Sequence, residues 1–363
     1  MKVLTINPGS TSTKVALFEN DECLLSKNVS HSATELAQFA SIPDQLPYRK
    51  SMVEDALAEG NVAVDDLDAV VGRGGGLLSM EGGTYLIDEK LLDDAARGAN
   101  GVRHPAQLGP LLANEFAQAA KIPAYVVNPP DVDELQDVAR MTGIDGVYRN
   151  VHLHALNLKE TAIRHAASQG VRYEDCNYIV CHIGGGVSVS AHRLGRMVDG
   201  YDIVGGEGPM APTRCGSVSE VDLLDYLKDH TTGEARALCT KEGGFASLLG
   251  TSDAREVCAM ADAGNKKAQL VWDTFAYQIC KGIGAMASVL DGKVDGILLG
   301  GGIVHSEDLV HKIEETCGWI APVFAYPGEF EMEAMASGAC RVLRGEELPK
   351  HYTGRPAWSG FNF

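Results

Sequence analysis

The segment from Val3 to Phe18 limits the possible folds more than any other part of the sequence. Two apolar stretches, at 3–6 and 15–18, flank a short turn rich in hydroxyl-bearing residues. Such a turn between two strands points backbone N–H groups into a concavity that suits a phosphate group. A P-loop or a dinucleotide-binding fold would instead require a glycine-rich turn that opens a helix. The segment therefore predicts either a phosphate-binding hairpin or an ordinary hairpin with small residues in its turn.

The length and charge of the chain limit its organisation and its partners. At 363 residues the chain is about twice the usual domain length, so we expect two domains, 1–132 with 333–363 and 133–332. The formal net charge of −18 argues against nucleic acid or an anionic membrane surface as the main partner. An anionic substrate would need a locally positive pocket within this acidic surface.

The cysteines and the apolar stretches predict a cytoplasmic location. The nine cysteines are scattered without a Cys-x-x-Cys pair, as expected for free thiols in a reducing compartment. The longest apolar stretches are too short to span a membrane. The chain begins directly with a predicted strand, which leaves no room for a signal peptide. We therefore expect no membrane partner.

A second strand–turn–strand unit occurs about halfway along the chain. An apolar stretch at 178–183 leads into Gly184–Gly186, and alternating residues follow at 187–192. This repetition suggests that the two domains are versions of one another. Altogether four glycine-rich turns follow predicted strands, at 8–10, 74–76, 184–186 and 300–302, and glycine allows a backbone to approach phosphates closely. A helix is predicted over 152–168.

Cationic and imidazole side chains lie next to these turns. Arg73 immediately precedes the second turn, and Arg214 lies in another loop of small residues. Arginines in two domains suit a carboxylate and a transferring phosphoryl group, although surface salt bridges are the structural alternative for each. His104, His154 and His182 lie where loops meet helices or strands. These histidines either donate hydrogen bonds to phosphoryl oxygens or have structural roles.

Seven motifs carry a resemblance to a known family. The similarity runs from residue 2 to about residue 345. The motifs are Ile6–Lys14, Gly72–Gly75, Glu81–Tyr85, His154–Asn157, His182–Ser188, Leu299–Ile303 and Pro327–Glu329. Together they resemble the acetate kinase family, in particular its branch of butyrate and branched-chain carboxylate kinases. The resemblance implies an α/β protein with the two-domain, actin-like and ribonuclease H-like ATPase fold of acetate kinases, sugar kinases, Hsp70 and actin, whose mixed β-sheet core is duplicated.

The resemblance also implies an activity. Members phosphorylate a short-chain fatty acid reversibly, with ATP or ADP and Mg²⁺, and the expected reaction is ATP + butanoate = ADP + butanoyl phosphate. A carboxylate is already anionic, so it needs no general base, and catalysis reduces to alignment and charge neutralisation. The alternatives are a kinase for propionate, isobutyrate or another branched-chain acid, a sugar kinase, or an actin-like or Hsp70-like ATPase. A homodimer or a higher homo-oligomer is expected.

Site residues follow from the resemblance, position by position. Those of the phosphate-side loop are Asn7, Ser10, Ser12 and Lys14. Those that contact the carboxylate are Arg73 and His104. The catalytic residues are Arg73, His182, Arg214 and His154, of which His182 stabilises the transferring phosphoryl group with His154 as a secondary contributor, and Arg214 acts in the transition state. Those that bind the nucleotide are Gly184, Gly185, Gly186, Asp253, Ala254, Arg255, Gly300, Gly301, Gly302 and Ile303.

The expected Mg²⁺ ligands are less well defined by the motifs. Glu331 best matches the family's acidic residue, with Glu329 and Glu333 as neighbouring alternatives. The family pattern has an aspartate where this chain has Asn128. Either Asn128 binds through its amide or Asp131 takes the role of that aspartate.

Overall fold

The computed structural model describes residues 1–361, which form two compact units. The first comprises Met1–Asp133 and the C-terminal segment from Phe330, and the second comprises Glu134–Glu329. The sequence-based boundaries lay at 132/133 and 332/333. Glu331 consequently belongs to the first unit, because the helix that it begins packs on the sheet of that unit.

The first unit is built on a mixed sheet of seven strands in the described chain, in the order β12-β5-β6-β4-β1-β2-β3. The antiparallel pairs β1–β2 and β2–β3 form a meander, whereas β1, β4 and β6 are parallel neighbours. Numbered along the whole chain, its strands are β1 Lys2–Pro8, β2 Ser12–Glu19, β3 Glu22–Ser30, β4 Ala69–Gly72, β5 Thr84–Leu86, β6 Ala124–Val127 and β12 Lys350–His351.

Helices cover this sheet and bury its apolar side chains. Leu4 and Ile6 of β1 and Val15 of β2 are fully buried, and they belong to one core with Val53 and Leu112 of the helices. The helices of the first unit are α1 Ala33–Leu36, α2 Leu46–Glu59, α3 Glu89–Arg97, α4 Leu108–Ala120 and α13 Glu331–Leu343.

The second unit repeats this architecture on a smaller sheet, of five strands among the described residues. Its order is β11-β10-β7-β8-β9, in which β7, β8 and β9 form an antiparallel meander and β7, β10 and β11 are parallel. The strands are β7 Asn177–Ile183, β8 Val187–Arg193, β9 Arg196–Gly200, β10 Gly296–Gly301 and β11 Val323–Pro327.

The longest helix of the second unit, α11, supplies much of its core. Phe275 and Ile279 of α11 are fully buried in one cluster with Ile179, Val189 and Leu299 of the sheet. The helices are α5 Asp137–Arg140, α6 Ala155–Ser168, α7 Glu220–Tyr226, α8 Thr232–Ala237, α9 Gly244–Leu249, α10 Ala254–Asp262, α11 Lys266–Val289 and α12 Glu307–Cys317.

Two findings qualify the sequence-based expectations. The helix predicted over 152–168 begins three residues later, at Ala155, because His154 has non-helical backbone angles and its N–H donates to Ser188 Oγ at 3.3 Å. No helix within residues 1–361 is long and apolar enough to cross a bilayer.

Candidate active site

The turn between β1 and β2 is closed by its own backbone. The N–H of Gly9 donates to the carbonyl oxygen of Ser12 at 2.7 Å. Asn7 lies opposite Lys14 in the β1–β2 register, so the two side chains share one face of the hairpin. Ser10 is exposed, whereas Ser12 and Lys14 are half-buried. The four residues of the expected phosphate-side loop therefore surround one tight turn.

Arg73 follows β4 at a place where two backbones approach very closely. A Cβ atom on Gly109, in the first turn of α4, would overlap the Arg73 carbonyl, and one on Gly72 would overlap Gly109. The N–H of Arg73 donates to the Ile6 carbonyl at 2.9 Å, which ties it to the end of β1. The Nη1 atom of Arg73 is buried and has no hydrogen-bond partner among the described residues. An anionic ligand would satisfy such a group.

His104 lies beside the turn between β1 and β2. Its neighbours determine which ring nitrogen carries the proton and in which direction its pKa is shifted. Its Nδ1 accepts a hydrogen bond from the Ala106 N–H at 3.1 Å, so in the neutral ring the proton is on Nε2. That Nε2 atom lies 3.4 Å from Ser10 Oγ. Burial, and then the charges of Arg73 and Arg49, lower the pKa of His104 below its ordinary value. A neutral His104 at pH 7 is a hydrogen-bond donor, through Nε2, for a carboxylate or phosphate oxygen.

Glu331, at the start of α13, accepts a hydrogen bond from the Asn7 side-chain amide at 2.9 Å. A carboxylate held beside the phosphate turn has the oxygen chemistry that Mg²⁺ prefers. No group of three or more His, Cys, Asp or Glu residues suited to a metal ion occurs in residues 1–361. Mg²⁺ commonly uses one or two carboxylates together with substrate phosphates and waters, so Glu331 fits it.

The two other expected metal ligands have different contacts. Asn128 has a φ of 38°, and its side-chain oxygen accepts the Gly83 N–H at 2.7 Å. Its amide therefore ties the residue that precedes β5 to the residue that follows β6. Asp131 accepts a hydrogen bond from the Asn100 amide at 2.6 Å. Glu331 is hydrogen-bonded to Asn7 of the phosphate-side loop, and metal binding by Asn128 or Asp131 stays a prediction.

In the second unit, two of the expected histidines are stacked. The ring centroids of His154 and His182 lie 4.1 Å apart, with an angle of 30° between the rings. His182 is the penultimate residue of β7 and pairs with Ser188 of β8, and Ser188 Oγ lies 2.9 Å from Nδ1 of His154. The motif residue Ser188 therefore fixes the ring of His154, a role that sequence reasoning had not assigned to it.

The guanidinium of Arg214 lies beside His154 because Gly186, next to both, has no side chain. A Cβ atom on Gly186 would overlap the Arg214 guanidinium and lie 3.0 Å from Cε1 of His154. The Nε and Nη1 atoms of Arg214 are buried and lack hydrogen-bond partners among the described residues. Burial lowers the pKa of Arg214, and the charge of Asp202 opposes this effect. The second unit thus gathers Arg214, His154 and His182 around the Gly184–Gly186 turn.

A cavity of about 1040 Å³ opens beside this turn within the second unit. Many of the expected nucleotide-binding residues line it, namely Gly184, Gly185, Asp253, Ala254, Arg255, Gly302 and Ile303. Further lining residues include Pro212, Ser252, Trp272 and Glu329. The volume and the mixture of glycine backbone, apolar and charged groups suit a nucleotide.

The remaining expected nucleotide-binding residues support the wall of the cavity. Gly186 accommodates Arg214, as described above. Gly301 has a φ of 103° and packs against the Ile183 backbone, and its peptide exchanges two hydrogen bonds with Gly328, at 3.0 and 3.1 Å. This pair places Glu329 at the cavity. Gly300 ends the parallel pairing with His182.

Asp253 and Arg255 form a local pair at the start of α10. Asp253 caps the helix by accepting the Arg255 N–H at 2.8 Å, and an ion pair of 2.6 Å joins their side chains. The hydrogen bonds from Arg255 lower the pKa of Asp253 to about 2. Asp253 is therefore a fixed anion at the cavity, beside an arginine that is largely exposed.

Three comparisons place these observations among known proteins. Residues 152–317 match the family model described as the acetokinase family. The chain is 42% identical to butyrate kinase 1 of Clostridium acetobutylicum, over 97% of this chain and 99% of that protein. It is 43% identical to a probable butyrate kinase of Enterococcus faecalis, over 97% of each. The crystal structure of Porphyromonas gingivalis acetate kinase matches with a TM-score of 0.77 at 19% identity, covering 94% of this chain and 99% of that one.

The fold is that of the two-domain, actin-like ATPase class, and the expected fold class is confirmed. Each sheet of this class supplies one strand–turn–strand unit, as observed here at residues 2–19 and 177–193. The chain belongs to the acetokinase family, as a carboxylate kinase whose curated relatives at this level of identity are butyrate kinases.

Proposed function

We propose that the protein catalyses the reversible reaction ATP + butanoate = ADP + butanoyl phosphate. The supporting observation is that Arg73 and Arg214 each hold a buried Nη1 atom that no described residue satisfies. Buried guanidinium nitrogens without protein partners are suited to anionic ligands, and this reaction brings together two anions. Butanoate as the acid is supported by the curated relatives, which are 42–43% identical over nearly the entire chain.

In the proposed reaction a carboxylate oxygen attacks the γ-phosphorus of ATP in line with the leaving group. An oxygen–phosphorus bond to the acid forms, the bond between the γ-phosphorus and the β–γ bridging oxygen breaks, and its electron pair stays on ADP. No proton is transferred, so the reaction needs no base. Catalysis then depends on alignment and on charge stabilisation, for which positioned cationic and N–H donors are the effective groups.

The proposed roles follow the contacts of each residue. We assign Arg73 and the Nε2–H of His104 to the carboxylate of the acid. Arg214, His182 and His154 stabilise the transferring phosphoryl group, and Ser188 orients His154. The hairpin residues Asn7, Ser10, Ser12 and Lys14 contact phosphoryl oxygens. The 1040 Å³ cavity binds the nucleotide.

Glu331, supported by the amide of Asn7, is the residue that we propose to hold Mg²⁺. When bound, Mg²⁺ neutralises negative charge on the nucleotide phosphates. A cytoplasmic location is supported by the nine cysteines, all of which are free thiols in the structure. A homo-oligomer is proposed from the resemblance to the family, and the exposed side chains of Val221 and Leu224, three residues apart on α7, are available for such a contact.

The proposed function is tested by trapping the acyl phosphate. The protein is incubated with ATP, Mg²⁺, hydroxylamine and one acid at a time, from acetate to branched C5 acids, with glucose as the neutral alternative. Butanoate should give the most hydroxamate. Preference for propionate or isobutyrate would reassign the substrate within the carboxylate kinases. Phosphorylation of glucose, or ATP hydrolysis that no acid stimulates, would overturn the proposal.

A further inference from the structure

Arg49 carries a buried positive charge that no described residue neutralises. Its side chain is fully buried in the first unit, on the face of α2 that also buries Val53 and Leu57. No acidic group among residues 1–361 forms an ion pair with it, and its Nη2 atom has no hydrogen-bond partner there. Burying an unpaired charge is costly, and buried arginines are normally paired with acids.

The groups that accept hydrogen bonds from Arg49 are all neutral. Arg49 Nε donates to Gln45 Oε1 at 3.0 Å. Glu35, whose charge acts on the neighbouring His31, accepts hydrogen bonds from the backbone and the hydroxyl of Ser32. Burial lowers the pKa of Arg49, but a guanidinium remains charged near neutral pH. The positive charge therefore persists without a counter-ion from the described chain.

The remaining hydrogen bonds of Arg49 go to the turn of the first hairpin. Its Nη1 donates to the Ser12 carbonyl at 3.2 Å and to Thr13 Oγ1 at 3.0 Å. The same Ser12 carbonyl accepts the Gly9 N–H that closes the turn. Thr13 Oγ1 also lies 2.8 Å from Nε2 of His31. Arg49 thus holds the turn through the carbonyl on which its closure depends.

We infer that Arg49 is a positioning residue that keeps the 9–12 turn in its anion-accepting shape and attracts a phosphoryl group to it by its uncompensated charge. The ligand class is a phosphoryl group of a nucleotide or an acyl phosphate. This inference rests on the proposed function for the identity of the phosphoryl donor. The charge of Arg49 also helps to lower the pKa of His104, whose ring lies beside Ser10 of the turn.

The test uses the full chain and inorganic phosphate as the probe. The imidazole resonances of His104, assigned with H104Q, report phosphate binding beside the turn. Wild type is compared with R49M and R49Q, which remove the charge, and with R49K, which keeps it. We expect R49M and R49Q to bind phosphate about tenfold more weakly or worse, as expected for losing a nearby charge in a partly desolvated site. R49K should retain most of the affinity.

The pKa of His104 is a second measurement, and it distinguishes the proposed charge role of Arg49 from a role in packing alone. Without the charge of Arg49, the pKa of His104 should rise in R49M and R49Q and stay near the wild-type value in R49K. Urea unfolding shows whether each variant is folded. If neither neutral variant folds, folded R49K is compared with wild type, and a loss of phosphate affinity of about tenfold or more in R49K would overturn the inference.

Phosphate affinity that is unchanged in R49M, or lost in R49K as much as in R49M, would overturn the inference. The proposed function can fail separately. Wild type would then form no acyl phosphate, although the phosphate titrations would still differ between R49M and R49K.

Discussion

At the level of single residues, the proposed chemistry depends on two half-buried arginines, Arg73 in the first unit and Arg214 in the second. Each has a buried guanidinium nitrogen without a hydrogen-bond partner among the described residues, and the cost of burying that atom is offset if an anion binds there. Glycine at position 186 leaves room for the Arg214 guanidinium. Any side chain there would displace this guanidinium and touch His154. We propose that Arg214 acts on the reacting phosphoryl group and not on the adenosine.

Replacing Arg214 by alanine should therefore lower kcat strongly and change the KM for ATP little. Loss of one donor that stabilises transition-state charge typically costs about 10²–10³-fold in kcat. Steady-state kinetics with butanoate measures both constants. R172A is the matched control, because Arg172 is an exposed arginine of the same unit, paired only with nearby Asp175. Wild-type kcat in R214A would remove this residue from the reaction.

The position of Arg73 depends on close packing between β4 and α4. The start of α4 and the end of β4 approach each other so closely that neither Gly72 nor Gly109 can carry a Cβ atom without overlap with the opposing backbone. Backbone atoms cannot move aside as a flexible side chain can. The position of Arg73 at the end of β4 therefore depends on a glycine on a different element.

Gly109→Ala should destabilise the protein, by more than about 2 kcal/mol if the overlap forces β4 and α4 apart. Urea unfolding followed by circular dichroism measures the change. The matched control is Gly284→Ala within α11, where an added Cβ meets no atom within 4 Å. That variant should gain about 0.5–1 kcal/mol from the higher helix propensity of alanine. Equal stability of the two variants would contradict the packing argument.

Buried hydrogen bonds link Tyr173, His192 and Ser190 within the second unit. His192 is fully buried between the Tyr173 hydroxyl, 2.7 Å from its Nδ1, and Ser190 Oγ, 2.9 Å from its Nε2. Burial, and to a lesser extent the charge of Lys159, lower the pKa of His192 well below its ordinary value. The folded protein thus keeps this ring neutral, whereas the unfolded chain protonates it below about pH 6.5.

Stability should consequently fall as the pH drops below about 6.5. The unfolded state then binds one more proton than the folded state, which costs about 1.4 kcal/mol per pH unit until the folded pKa is reached. H192Q should be less stable at pH 8 but should lose less stability between pH 6.5 and 5. Urea unfolding at several pH values measures both slopes. An identical slope in the two proteins would show that His192 does not contribute.

For the molecule as a whole, the sequence was informative where local chemistry alone determines structure. The alternation around the 7–12 turn and the glycines at 184–186 predict hairpins, and both occur in the described chain. These features are local, because the periodicity of a strand and the backbone freedom of glycine do not depend on distant residues. The two mixed sheets and the family followed from motifs distributed over the entire length.

Features that depend on distant contacts were not predictable in this way. The contact of Asn128 with Gly83, forty-five positions earlier, was not predictable from the sequence, and metal binding by Asn128 stays a prediction. Arg49 was missed, although a basic residue in the apolar stripe of α2 is a signal that sequence inspection can detect. The start of α6 shifted because Ser188, on another element, bonds the His154 backbone.

The central claim is that the carboxylate itself attacks the γ-phosphorus of ATP. It is tested most directly with butanoate labelled with ¹⁸O in both carboxylate oxygens, by ³¹P NMR of the product without hydroxylamine. Direct attack predicts butanoyl phosphate with one ¹⁸O bonded to phosphorus, seen as an isotope-shifted resonance, and an equal amount of ADP. Unlabelled phosphorus in the acyl phosphate, or inorganic phosphate as the only new product beside ADP, would contradict the account.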